Sequence, residues 1–204
     1  MIKDNTIKKI MNTTHEDDTR TEKKSSKEFW KELLKLLVLA AVIVIPFRLF
    51  VAQPFIVDGA SMDPTFATGQ YLIVDELSYH FSTPPRGSVL IFKYPKDESK
   101  YFIKRVIGLP GETVSIKNGA VTIINSAHPD GVALDEPYIK LPKDDTETYT
   151  LGLGEYYVLG DNRFGSADSR YWGPVPTKDL IGRPILRLWP FSFWPGDETS
   201  QDSI

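Results

Sequence analysis

The alternation of apolar and polar positions divides the chain into three stretches. Residues Met1 to Lys27 hold few apolar positions and no sustained period, the composition of a mobile tail. The second stretch, Leu33 to Ala52, is apolar along most of its length, and a helix rising ~1.5 Å per residue over it would cross a hydrocarbon core of about 30 Å. It predicts a polar tail over residues 1–30 and a single membrane-spanning helix over 31–52. The uninterrupted apolar run, Leu36 to Phe47, is short for a span, but Lys35 and Arg48 at its ends can snorkel to the headgroups. A cleavable leader fits less well, because a long polar tail precedes the run and the bulky Phe50, Gln53 and Phe55 follow it. A buried core helix is the other alternative.

From Gln53 onward the period shortens to that of strands. Tyr71 to Val74, Ser88 to Phe92, Tyr101 to Ile107, Thr113 to Lys117, Ala120 to Ile124 and Tyr156 to Leu159 are β-branched or aromatic runs separated by Gly, Pro and Asn. Asn118-Gly119 between two such runs supplies the positive φ angles of a two-residue type I′ hairpin. Asn125 to Tyr149, with Pro129, Gly131, Pro137 and Pro142 among acidic residues, reads as a looped excursion. The expected fold is all-β: antiparallel sheets forming an irregular β-barrel-like catalytic domain over 53–204, behind one N-terminal transmembrane helix. Trp189, Phe191, Phe193 and Trp194 are expected to pack in the core, an interfacial aromatic belt being the alternative.

Composition adds constraints. The 204 residues are 41% hydrophobic and 25% charged, which suits one modest domain with appended segments. A formal net charge of -3 gives no reason to expect a nucleic-acid partner. No cysteine is present, which excludes disulfides, thiolate metal sites and a cysteine nucleophile. His15, His80 and His128 are scattered without metal-ligand spacing, so no metal or cofactor is expected. Lys23, Lys24, Lys27, Lys31 and Lys35 crowd one flank of the apolar stretch, whereas Arg48 is the only base on the other until Arg86. The positive-inside bias puts the tail in the cytoplasm and the β-domain on the extracytoplasmic face of the plasma (inner) membrane.

The candidate chemistry begins with Ser61, in Asp58-Gly59-Ala60-Ser61-Met62-Asp63-Pro64-Thr65. A serine hydroxyl needs a base that takes its proton during attack. With histidine unpromising, lysine is the available candidate, and it serves only when uncharged, although the ordinary lysine pKa of about 10.4 keeps it protonated near neutrality. Alternation from Tyr101 to Ile107 puts Phe102, Lys104 and Val106 on one face and Ile103, Arg105 and Ile107 on the other. An apolar setting would disfavour the ammonium. Equally, the Lys104 stem can lie on the sheet with its head in water. Ser61 taken alone is acceptable turn chemistry. A third segment, Gly160-Asp161-Asn162-Arg163-Phe164-Gly165-Ser166-Ala167-Asp168-Ser169-Arg170, follows a strand and is dense in hydrogen-bonding groups, reading either as site support or as an ion-pair network that pins a turn.

Ser-Met-x-Pro-Thr from Ser61, Lys-Arg-Val-Ile-Gly-Leu-Pro-Gly-Glu from Lys104 and Gly-Asp-Asn-Arg-x-x-Ser-x-Asp-Ser-Arg from Gly160 together resemble the type I signal peptidases, membrane-bound Ser/Lys endopeptidases. The resemblance runs from the apolar stretch to about Trp189. It implies Ser61 as nucleophile, Lys104 as general base and Ser166 as the serine whose hydroxyl orients the lysine. Asp161, Asn162, Arg163, Asp168 and Arg170 match residues that hold the site, and Arg105 is similar to an arginine that pairs with the first Asp of that loop. Many bacterial members carry a serine two residues before the nucleophile as an oxyanion donor; Gly59 stands there in this chain, which leaves the second donor unassigned.

The implied substrates are preproteins whose signal peptides end in an Ala-x-Ala pattern. Phe55, Val57, Met62 and Ile103 are the expected pocket walls, with Gly59 beside them, although each could equally be core. An extended substrate would add as a strand beside Phe55 to Gly59 and Phe102 to Lys104. The expected partners are these preproteins and the lipid bilayer, with the protein a monomer. Two other readings compete: a self-cleaving Ser/Lys repressor-type peptidase, which would need an N-terminal DNA-binding helix-turn-helix, and a membrane-anchored β-domain that binds extended peptides without cutting them.

Overall fold

The computed structural model describes residues 26–45, 52–189 and 191–193, and the structural statements below concern these. Residues 26–45 form a helix, α1. Its first half carries Lys27, Glu28, Lys31, Glu32 and Lys35, leaving only residues 36–45 as an unbroken apolar run. No helix among the described residues is long and apolar enough to cross a membrane. The expected span over 31–52 is therefore not seen as one helix: 46–51 lie outside the described residues, and Ala52 opens a strand. Leu36, Leu39, Val42, Ile43 and Ile45 are more than half exposed along the helix.

The β-domain holds twelve strands: β1 (Ala52–Ile56), β2 (Tyr71–Asp75), β3 (Val89–Tyr94), β4 (Asp97–Gly108), β5 (Thr113–Lys117), β6 (Ala120–Ile124), β7 (Val132–Ala133), β8 (Glu147–Thr150), β9 (Glu155–Leu159), β10 (Val175–Pro176), β11 (Leu180–Trp189) and β12 (Phe191–Phe193). They form two antiparallel sheets. The larger runs β1-β2-β11-β3-β4-β9-β10, with β12 also on β11; the smaller runs β7-β6-β5-β8. Since β1 and β10 each pair on one side only, the larger sheet is open and the expected barrel-like closure is absent among the described residues.

The strands form where β-branched and aromatic residues alternate into three apolar clusters. Val57, Met62, Phe66, Leu72, Val74, Val89 and Ile91 pack beneath the start of the domain. Leu90, Phe92, Val106, Tyr156, Val158 and Val175 fill the middle of the large sheet. Ile107, Tyr157 and Leu159 from the large sheet meet Val114, Ile116, Val121 and Ile123 from the small one. The hairpin between β5 and β6 turns at Asn118 and Gly119, with φ of 51° and 79°, as a type I′ turn requires.

The looped excursion of 125–149 is less irregular than its composition suggests, because Val132–Ala133 and Glu147–Thr150 extend the small sheet on both sides. The C-terminal aromatics depart from the core expectation: Trp189 and Phe191 are 75% and 68% exposed, because β11 and β12 run to the edge of the hairpin they form. Trp194 lies outside the described residues, and so does the side chain of Phe193.

Candidate active site

Ser61 opens the turn that follows β1. Gly59 enters it with φ of +94°, a conformation L side chains rarely adopt. Met62 and Phe66 are fully buried in the core, and the Phe66 N–H donates to the Met62 carbonyl at 2.9 Å, so the turn is nailed down immediately after Ser61. Met62 thus serves as an anchor and does not line the cleft.

Lys104 lies on β4 opposite Leu90 of β3 and is 4% exposed. Its Nζ donates to Ser61 Oγ at 2.7 Å and to the Ile103 carbonyl at 2.9 Å. The same nitrogen stands 5.4 Å from the centre of the Phe102 ring. Burial pushes the Lys104 pKa down to about 8, against the opposing pull of the Asp168 and Asp161 carboxylates. Holding the ammonium there below that pH costs about 3 kcal/mol, from roughly 1.36 kcal/mol per unit. The reading in which the Lys104 head reaches water is not what the fold adopts.

The loop after β9 surrounds this pair. Arg105 points to the other side of β4, where its Nε and Nη2 donate to the two carboxylate oxygens of Asp161 at 2.9 and 2.7 Å and its Nη1 donates to the Gly87 carbonyl. Asp161 also accepts from the Thr65 hydroxyl, which ties the Ser61 turn to the same carboxylate. Asn162 grips that turn from above: its N–H donates to the Ser61 carbonyl at 3.1 Å and its Nδ2 to the Ala60 carbonyl at 3.0 Å. Gly160 admits this contact, since a Cβ there would sit 2.5 Å from the Ser61 carbonyl oxygen and 2.2 Å from Ser166 Oγ.

Asp168 is fully buried and caps the short helix α2 (Ser169–Trp172). It accepts from the Gly160 N–H at 3.0 Å and from Arg170 Nε and Nη2 at 2.8 and 2.7 Å. Burial works against the Arg170 charge, but Asp168 and Asp145 more than offset it and the guanidinium pKa is raised. Arg163 donates to the Gly160 carbonyl at 3.1 Å and pairs with Glu136. Ser166 is buried near Gly160, but its Oγ has no hydrogen-bond partner and is not among the acceptors of Lys104 Nζ. The implied serine-to-lysine orienting bond is therefore not formed in this structure.

A cleft of about 270 Å³ opens over the Ser61 hydroxyl and Lys104. Phe55, Val57, Gly59 and Ile103 line it, and Leu72 and Ile91 also reach it from the core. Strand β4 pairs with β9 only from Arg105 onward, so Tyr101 to Lys104 keep a strand edge free on that side, while β1 is an edge strand.

Sequence reasoning missed Thr65, Gly160, Glu136, Tyr138 and Asp145 as parts of the site. Thr65 and Gly160 stand inside the serine and loop motifs themselves. The other three come from the excursion, and only its acidic composition could have drawn attention to them.

A serine hydroxyl hydrogen-bonded to a buried amine of lowered pKa, beside an open strand edge, can carry the chemistry of a serine hydrolase with a lysine base. A family model described as signal peptidase, peptidase S26, matches residues 30–189. The chain is 38% identical over 175 residues to a probable signal peptidase I-1 of a Synechocystis species, covering 82% of this chain and 86% of that one. It is 40% identical over 172 residues to a signal peptidase I of Leptolyngbya laminosa, covering 78% and 79%, and 36% identical over 168 residues to that of Bacillus caldolyticus, covering 75% and 88%. The chain belongs to the signal peptidase family, peptidase S26, and with it to the serine peptidases.

Proposed function

We propose that the protein removes N-terminal signal peptides from exported preproteins by a Ser61/Lys104 dyad working through an acyl-enzyme. The observation that carries this is the 2.7 Å contact between Lys104 Nζ and Ser61 Oγ, made where burial lowers the lysine pKa to about 8. Neutral Lys104 takes the Ser61 proton as Oγ attacks the scissile carbonyl, then gives it to the departing amine. It next takes a proton from the water that hydrolyses the ester, and returns one to Ser61. The Ser61 N–H stabilises the oxyanion, and since Gly59 brings no hydroxyl, the second donor in this reading is another backbone N–H or water.

The substrate enters as an extended strand between the edges of β1 and the Tyr101 to Lys104 segment of β4, with main-chain bonds giving affinity. Its small residues, in the Ala-x-Ala pattern, face Phe55, Val57 and Ile103. The exposed apolar side chains of α1 and the basic cluster before them support a single-pass anchor in the plasma membrane, with the tail cytoplasmic and the β-domain outside. We read the enzyme as a monomer that meets its substrates at the lipid surface, where tethering raises their effective concentration.

The test is cleavage of a preprotein by the detergent-solubilised chain and by its Ser61→Ala and Lys104→Met variants. The expected result is processing by the parent alone, with activity rising as pH passes about 8. Cleavage by either variant, or a profile flat from about pH 6 to 10, would sink the dyad. Retention of the peptide uncut by the parent protein would favour a binding domain.

A further inference from the structure

The excursion between β6 and β9 sends a turn into the back of the site. The Ile139 N–H donates to the Glu136 carbonyl at 3.1 Å, and Pro137 sits at the second position of this turn, where its fixed φ is favoured. The turn therefore presents Glu136 and Tyr138 as a rigid pair. The Tyr138 hydroxyl donates to Glu136 Oε1 at 2.9 Å, and the same carboxylate pairs with Arg163, whose Nε holds the Gly160 carbonyl. The Tyr138 ring lies on the Arg105 guanidinium, with the central carbon 3.9 Å from the ring centroid. Arg105 and Asp161 beneath it are 4% and 2% exposed.

We propose that Tyr138, locked by Glu136, is a positioning residue for Lys104: its ring covers the Arg105–Asp161 pair and keeps the electrostatic surroundings of the base fixed. The role rests on the reading of Lys104 as the base, although the covering itself does not. Lys104 and Arg105 are adjacent on β4, and Asp161 is one of the two carboxylates that hold a proton on Lys104. Arg105 largely neutralises that carboxylate through two hydrogen bonds. Stripping the ring admits water to the Arg105 side of the strand and loosens the guanidinium. Asp161 is then less compensated, which favours the ammonium of Lys104.

The charges facing this region are Asp161, Arg163, Asp168 and Arg170 from the catalytic loop and Arg105 from β4. From the excursion and β8 come Glu136, Asp145 with its partner Lys143, and Glu147. Tyr138→Leu removes none of them. The tyrosine itself does not titrate across the assay range, because burial and Glu136 push its phenol up. A shift seen on its removal therefore reports the lysine.

Two measurements on the full chain in detergent test this. The first is the pH profile of preprotein cleavage. In Tyr138→Leu the midpoint of the rising limb should move up by about half a pH unit, which lowers kcat about 3-fold below the midpoint at tenfold per unit. KM should stay within about 2-fold and the rate should return to the parent value near pH 10, whereas a residue acting only on the fold would lower the rate at every pH.

The second needs no activity: the pH dependence of urea unfolding, taken as the difference between each protein and the same protein carrying Lys104→Met. In the parent this difference rises from about pH 8, and in Tyr138→Leu the onset should lie about half a unit higher. Tyr138→Phe keeps the ring and should keep the parent onset. If Tyr138→Leu does not fold, Tyr138→Met, which also lacks a ring, takes its place.

An unchanged onset in the ringless variant, or a Phe variant that behaves like Leu, overturns the proposal. A shifted onset in a protein that cuts no preprotein supports the covering role and removes the peptidase reading instead.

Discussion

Lys104 and Arg105 are consecutive residues on β4, each a cation and each 4% exposed, yet the two faces of the strand treat them in opposite ways. On the Arg105 face a carboxylate is in direct contact through two hydrogen bonds, a third donor finds the Gly87 carbonyl, and an aromatic ring covers the plane. On the Lys104 face no carboxylate touches the ammonium, whose hydrogen bonds go to a hydroxyl and a backbone carbonyl beside the Phe102 ring. Burial is equal on both sides, and what differs is what offsets it: with no contact counterion on the Lys104 face, burial pushes the lysine pKa down to about 8.

The most severe way to break this contrast is to put a guanidinium on the lysine face. Lys104→Arg retains a long basic side chain but cannot give up its proton near neutrality. Cleavage of a preprotein should fall by about 10³-fold, within the range general-base catalysis supplies, and should not recover at pH 10. Partial recovery at high pH would mean that something other than a neutral amine takes the Ser61 proton.

On the other face, Arg105→Met leaves Asp161 buried without its counterion. Removing one partner from a buried pair costs about 3 to 5 kcal/mol, so the urea midpoint should drop sharply. Replacing both partners by apolar residues, Arg105→Met with Asp161→Leu, should restore part of the loss. A double variant no better than the single one would show that the pair does more than neutralise itself.

The lysine face has a matching signature in stability. Its folded pKa of about 8 lies below the unfolded value of 10.5, so between these pH values the unfolded chain binds more protons and stability rises with pH. The gain should approach about 3 kcal/mol by pH 10.5 and vanish in Lys104→Met. A parent curve parallel to that of the variant would mean that Lys104 is not desolvated in solution.

How much of this is readable from the sequence depends on the range over which each signal acts. The strands from Thr113 to Lys117 and from Ala120 to Ile124 are legible because alternation and Asn118-Gly119 are local. Alternation also separates Lys104 from Arg105 correctly. It cannot say which face is dry, because that depends on Leu90, on the Ser61 turn and on a loop 56 residues from Arg105. Ala52 departs from the expected span for a related reason: it suits a helix locally, and only pairing with Asp75 makes it a strand. The supports from the excursion are invisible, since Glu136, Tyr138 and Asp145 acquire meaning only through Arg163, Arg105 and Arg170.

Thr65 gives the finest test of the two faces, because it links them. Its hydroxyl donates to the carboxylate that also holds Arg105, while its own turn begins at Ser61. Thr65→Val keeps the shape and removes one donor to a buried charge that retains its arginine, so the stability loss should be modest, about 1.5 kcal/mol. The effect on cleavage should be larger than that figure suggests at saturating substrate and small in KM, because the turn carrying Ser61 loses its tie to the Lys104 strand and the 2.7 Å contact is less often made. If Thr65→Val lowers stability but leaves kcat unchanged, then the Asn162 bonds to the Ala60 and Ser61 carbonyls hold Ser61 by themselves, and the two faces of β4 are independent.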